Sequence, residues 1–253
     1  MVSALFNSPT LQNQSGDRLV SKVAGAAIAA LFKRSEQIEA NVRAEPVTKL
    51  LQGSLDGFDF IGKGMLMYNG LRIEALELYL QAVAIDFSAI FTGQVKLRQP
   101  TQARMRAVLT EADLTASFNT QFVVEKLQRL QYQGQSLQFR KTEVRLTGDQ
   151  TLEIESQIQI GSETSPLTVQ ISAEVEVEDR RRIQFVKVEY QGNPQAIELG
   201  KALIDHVNHL LDLDKFALEQ TQLRIDRLRV QNRQIVCYGI AQINQFPRGK
   251  RSA

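Results

Sequence analysis

The sequence predicts an α+β fold: one large antiparallel β-sheet with two principal helices, the second an amphipathic helix near residues 194–211. Three observations predict it. Long stretches alternate apolar and polar residues with a period of two, most cleanly over 152–160 and 167–177. Two other stretches space their apolar residues as a helix does. The strands also follow one another in series rather than alternating with helices, which separates α+β from α/β.

Composition bounds the rest. The chain has 253 residues, 43% hydrophobic and 23% charged, fractions that fit a globular chain and exclude a disordered or collagen-like one. A chain of this length buries roughly three-quarters of its unfolded surface and needs no covalent or metal staple. A single cysteine, Cys237, excludes an internal disulfide, and one cysteine with two histidines supplies a zinc site poorly. Thirty basic against 28 acidic residues leave a net charge of +2, too near zero for a nucleic-acid binder that relies on bulk charge. No cofactor is expected.

The first helix is expected from the apolar run at residues 23–32, VAGAAIAALF, with Leu19, Val20, Val23, Ala27, Ala30 and Leu31 at helical spacing. Ser15-Gly16-Asp17 marks its start, and Lys33 and Arg34 complement its dipole at the end. Gly25-Ala26-Ala27 lets another surface approach closely. The run is ten residues long, half of the roughly 20 a membrane span takes. It lacks the early basic residues and small-residue cleavage site of a secretory signal. A cytoplasmic or peripheral-membrane location is therefore expected.

Ile38, Ala40, Val42 and Ala44 then alternate as a strand, and Pro46 opens a short helix over 47–51. Phe58, Phe60, Leu66 and Tyr68 share one parity on the next strand, and Asn69-Gly70 signals a hairpin. On the return strand Leu71 and Ile73 give way to Leu76, Leu78 and Leu80, a change of side near Ala75 that predicts a bulge. A helical turn at 87–91 and a strand around 104–109 follow. Thr110-Glu111-Ala112-Asp113 can cap a helix, which restarts near Asn119. Four strands come next, and the first (137–146) and fourth (183–190) switch parity midway, as bent strands do. Asn193-Pro194 opens the second helix, with Ala196, Leu199, Gly200, Leu203, Val207 and Leu210 on one side. A last hairpin joins 223–230 to 235–243 through a turn near Asn232. Residues 1–15 are expected to be a flexible segment, 16–245 a single domain, and 246–253 a basic, frayed tail.

Few constellations carry chemistry. His206 and His209, three apart on the second helix, can face one direction near Asp205, Asp212 and Asp214, but no third ligand is evident, and a solvated face accounts for them. Cys237 has no activating neighbour in the sequence and reads as a structural thiol. Gly62-Lys63-Gly64 lacks phosphate-loop spacing and suits a bend in a sheet. No catalytic residue and no metal ligand is assigned. The basic clusters are Arg104 with Arg106, the tail residues Arg248, Lys250 and Arg251, and Arg180, Arg181 and Arg182, at a strand-to-strand turn beside Glu178 and Asp179. That triple arginine is either a solvated turn or a contact to anionic lipid headgroups. The long aliphatic strand faces serve a filled core and an acyl-chain groove equally well. Leu76, Leu78, Ile154, Ile158, Val169 and Ile171 are the candidate groove residues by strand parity.

One segment order resembles a known family. Val42-Arg43-Ala44-Glu45-Pro46 leads into Lys49-Leu50-Leu51-Gln52-Gly53. Gly57-Phe58-Asp59 follows, then Leu71-Arg72-Ile73-Glu74-Ala75-Leu76-Glu77-Leu78, and then Leu109-Thr110-Glu111-Ala112-Asp113-Leu114. Over about residues 17–245 the chain resembles the LmeA-like phospholipid-binding family, especially its cyanobacterial members. The resemblance implies a long curved antiparallel sheet wrapped around the long N-terminal helix, akin to tubular lipid-binding folds. It also implies a groove for phospholipid tails and a periplasmic or envelope role as the alternative location. The function it implies is non-catalytic phospholipid binding in lipid transfer or membrane-lipid homeostasis, with a phospholipid or membrane surface as partner. The alternative is a structural protein with a fully packed core that binds a protein partner.

Overall fold

The computed structural model describes residues 18, 21–23, 25–26, 28–30, 32–46, 48–90, 92, 96–148, 150–215 and 220–245. The chain is mostly strand. In order come β1 (Phe32–Arg34), β2 (Gln37–Arg43), α1 (Thr48–Leu51), β3 (Ser54–Met67), β4 (Arg72–Ala84), α2 (Phe87–Ile90) and β5 (Thr101–Thr110). After β5 come α3 (Glu111–Phe118), α4 (Gln121–Leu127), β6 (Gln131–Tyr132), β7 (Gln135–Gly148), β8 (Thr151–Ile160), β9 (Leu167–Glu178) and β10 (Arg182–Gln191). The chain then runs through α5 (Pro194–Leu210) and a 3-10 turn at Leu213–Lys215 to β11 (Thr221–Gln231) and β12 (Gln234–Ile243).

The strands form two antiparallel sheets. One has the order β1-β3-β4-β5-β12-β11, with β2 also paired to β3, and the other has the order β10-β9-β8-β7-β6. Local chemistry sets the boundaries. Thr110 accepts the Asp113 N–H at 3.1 Å while the Asp113 carboxylate accepts the Thr110 N–H at 3.0 Å, a reciprocal cap that starts α3. Thr120 caps α4, one residue beyond the Asn119 that ends α3. The Asn193 side-chain Oδ1 accepts the Ala196 N–H at 2.8 Å, and Pro194 takes the first turn of α5. The expected mid-strand bends lie at register shifts, between Phe139 and Lys141 in β7 and between Val186 and Glu189 in β10. The change of side near Ala75 lies across from Gly64, whose φ of +56° turns β3 there. As a result Met65, rather than Leu66, joins Phe58 and Phe60 in the core.

Two apolar clusters hold the molecule together. One joins β7–β10, α5 and the inner residues of β11 and β12. The other lies on β2–β4 with Ile28, Leu50 and Ile85.

The architecture corrects the expected α+β fold in two respects. A single long sheet does not form. The two capped helices α3 and α4 interrupt the strand series after β5, and strongly twisted strands in this number divide into packed sheets rather than staying in one open sheet. Nor, among the described residues, is there a long N-terminal helix for a sheet to wrap. Helical geometry is described only at 18, 21–23, 25–26 and 28–29. The expected helix end at Lys33 and Arg34 is strand β1, where Phe32 is buried opposite Met67. The short apolar run therefore gives its last residue to the sheet. The longest helix among the described residues is α5, whose apolar side lies on β9 and β10. The close approach expected at Gly25 is present, since a Cβ there would lie 3.1 Å from that of Ala40. The start at Ser15-Gly16-Asp17, the residues Leu19, Val20, Ala27 and Leu31, and the segments 1–15 and 246–253 with Arg248, Lys250 and Arg251 lie outside the described residues.

Candidate functional site

Cross-strand partners in an antiparallel sheet present their side chains on the same face. Three successive rungs therefore define the inner face of the seven-stranded sheet. Leu76 aligns with Ala107, Cys237 and Leu228. Leu78 aligns with Met105, Gly239 and Ile225, and Leu80 with Ala103, Ala241 and Leu223. The two central strands thus present mostly small residues, flanked by leucines and isoleucine on β4 and β11. Leu76, Leu78, Ala107 and Leu223 are only half-buried. Leu76 and Leu78 pack on one apolar cluster and Ala107 on the other, so this face is the apolar surface that joins them. Gly239 is required here by close approach, because a Cβ would meet the Arg224 carbonyl oxygen at 2.0 Å.

The six candidate groove residues do not gather in one place. Leu76 and Leu78 lie on the inner face just described. Ile154, Ile158, Val169 and Ile171 lie on β8 and β9 beneath α5, each at most 6% exposed. The space between this sheet and the helices is almost closed. A cavity of about 10 Å³ remains, bordered by Phe118, Phe139, Ile154, Ile171, Leu203 and Val207. That volume holds at most about one water. Within the same layer the Thr142 and Ser156 hydroxyls, both buried, bond each other at 2.9 Å.

The triple arginine at the β9–β10 turn is engaged by acids. Arg180 pairs with Asp226 at 2.5 Å, Arg181 lies 3.5 Å from Asp212 and 3.6 Å from Asp214, and Arg182 reaches Glu178 at 3.1 Å and Asp179 at 3.2 Å. His206 Nε2 lies 2.9 Å from the Lys126 carbonyl oxygen, tying α5 to α4, while His209 meets the Asp205 carbonyl one turn earlier. Among the described residues no group of three or more His, Cys, Asp or Glu side chains is placed to hold a metal. Cys237 is 5% exposed on the inner face, and burial pushes its thiol up to about 12, so it is protonated and unreactive at neutral pH.

Sequence reasoning missed the contribution of β11 and β12 to this face. Their alternation was legible, but their placement beside β5 joins residues more than 100 positions apart. The one available signal was the small-residue series Gly239 and Ala241 in step with Ala103 and Ala107. Among the described residues no helix is long and apolar enough to cross a membrane. Compared with known families, the chain matches the LmeA-like phospholipid-binding family over residues 12–240, nearly its whole length. No curated protein matches it, and no solved structure does.

Proposed function

The chain belongs to the LmeA-like phospholipid-binding family, and from that premise we propose that it holds phospholipid acyl chains along the inner face of the seven-stranded sheet. The observation that carries this reading is the half-burial of Leu76, Leu78 and Leu223 around a floor of small residues. Apolar side chains left half-exposed gain about 25 cal/mol per Å² when a ligand covers them. The core beneath α5 offers no such gain. Its cavity of about 10 Å³ is far below the roughly 300–1,000 Å³ of ligand pockets. Ile154, Ile158, Val169 and Ile171 then belong to the packed core that meets this face at Ile225, Leu228 and Cys237. The chemistry is binding alone: contact is aliphatic, and the one thiol on the face is protonated. Lipid transfer and membrane-lipid homeostasis are the roles such binding serves.

Native mass spectrometry of the purified protein tests the proposal. It predicts stoichiometric phospholipid, lost in the double variant L76Q/L78Q while the fold measured by circular dichroism persists. Lipid-free wild-type protein that also ignores liposomes would sink it. The filled core beneath α5 favours a second reading, a structural protein that binds a protein partner. That reading predicts the lipid-free result.

A further inference from the structure

The opposite face of the same sheet has a different chemistry. Its rungs run Tyr79–Arg104–Ile240–Arg224, then Glu77–Arg106–Tyr238–Arg227, then Ala75–Val108–Val236–Arg229. Five arginines thus stand on β5 and β11, on either side of Tyr238 and Ile240 of β12. Two are held by acids: Arg106 by Glu77 at 2.5 Å and Arg224 by Asp214 at 2.8 Å. Arg104, Arg227 and Arg229 are exposed and have no ion-pair partner among the described residues. The rung beyond them, Gln102–Gln242–Gln222, is uncharged. A chain with a net charge of only +2 has therefore collected uncompensated positive charge on three adjacent strands. Tyr79 is 38% exposed beside them, and Tyr238 and Ile240 are half-exposed.

We propose that this outer face of β5, β12 and β11 docks the protein on an anionic phospholipid bilayer, with Arg104, Arg227 and Arg229 meeting the headgroup phosphates. Arginine matches phosphate oxygens with a forked set of donors. Tyrosine between the arginines suits the headgroup layer, where its ring meets apolar carbon and its hydroxyl meets water. The triple arginine at 180–182 is a weaker candidate, because each of its members already meets a carboxylate. β11 is an edge strand, so the docked face and the apolar inner face meet along it. The inference rests on the phospholipid reading only for the identity of the bilayer as occupant.

Vesicle flotation tests it, using phosphatidylcholine vesicles with and without phosphatidylglycerol. The wild-type protein is expected to float only with the anionic vesicles and to be released by added salt. Each charge near an anionic surface contributes a factor of about 5, so R104Q/R227Q/R229Q should weaken binding roughly a hundredfold. The charge-matched control R140Q/K141Q/K187Q, on the other sheet, should weaken it far less, and R104K/R227K/R229K should retain binding. Equal binding by the triple glutamine variant and the wild type would overturn the proposal. So would equal loss in the control, equal binding to both vesicle types, or preference for an oligonucleotide over anionic vesicles. Phospholipid content measured on the same samples separates the two claims. A failed docking face leaves the wild type loaded with lipid, whereas a failed acyl-chain site leaves it empty.

Discussion

Glu111 joins three elements through one carboxylate. It stands in the first turn of α3, accepts the Leu146 N–H of β7 at 2.7 Å, and pairs with Arg233 of the β11–β12 turn at 2.5 Å. Burial pushes its pKa up, but the Leu146 hydrogen bond and the Arg233 guanidinium outweigh that and hold it below the usual glutamate range. A carboxyl whose folded pKa is depressed stabilises the fold above its unfolded value, here near 4.5, and that contribution is lost as pH falls through the lower folded value. Arg233 is 77% exposed, so the ion pair adds little and the backbone hydrogen bond carries most of the effect. E111Q is expected to destabilise by about 1 kcal/mol at neutral pH. The difference from the wild type should close as pH falls below 4.5, read as urea midpoints at neutral and acid pH. A gap that persists in acid would show that charge is not the cause. The same residue marks what a sequence discloses. The Thr110–Asp113 cap spans three positions and is legible, whereas Leu146 and Arg233 lie 35 and 122 positions away and are not.

The β11–β12 hairpin shows the same division one scale up. Its alternation, and the turn at Asn232 and Arg233 with φ of 51° and 58°, follow from local chemistry and were legible. So were β8, β9 and α5, where clean periodicity and the Asn193-Pro194 start agree. The allocation of strands to two sheets was not, because pairing β5 with β12 depends on which face each hides rather than on either pattern alone. Phe32 shows how a helix-like run misleads, since an apolar end serves a strand edge equally well. The bulge between Ile225 and Arg227 brings the β11 backbone over Gly239. G239A would place a methyl 2.0 Å from the Arg224 carbonyl, so one strand must move. An overpacked site of this kind costs roughly 1–3 kcal/mol or more. Urea denaturation should show that loss, and unchanged stability would mean the strands are not in this register.

At the scale of the molecule, one sheet offers two chemistries on its two faces. The inner face is aliphatic with a small-residue floor, and the outer face carries arginines with tyrosine between them. The second sheet and α5 form a closed core that stiffens this arrangement. The sequence showed that aliphatic faces exist but not which one is filled, since burial is decided by what packs opposite. Leu76 and Ile158 read alike in alternation, yet Ile158 is fully buried under α5 and Leu76 is not. The measurement that tests the central claim most directly is photolabelling with a phospholipid carrying a diazirine near the end of an acyl chain, followed by peptide mapping. Adducts are expected on β4, β5 and β11 around Leu76, Leu78, Met105 and Leu223. Adducts confined to β8, β9 and α5, or none above a lipid-free control, would contradict it.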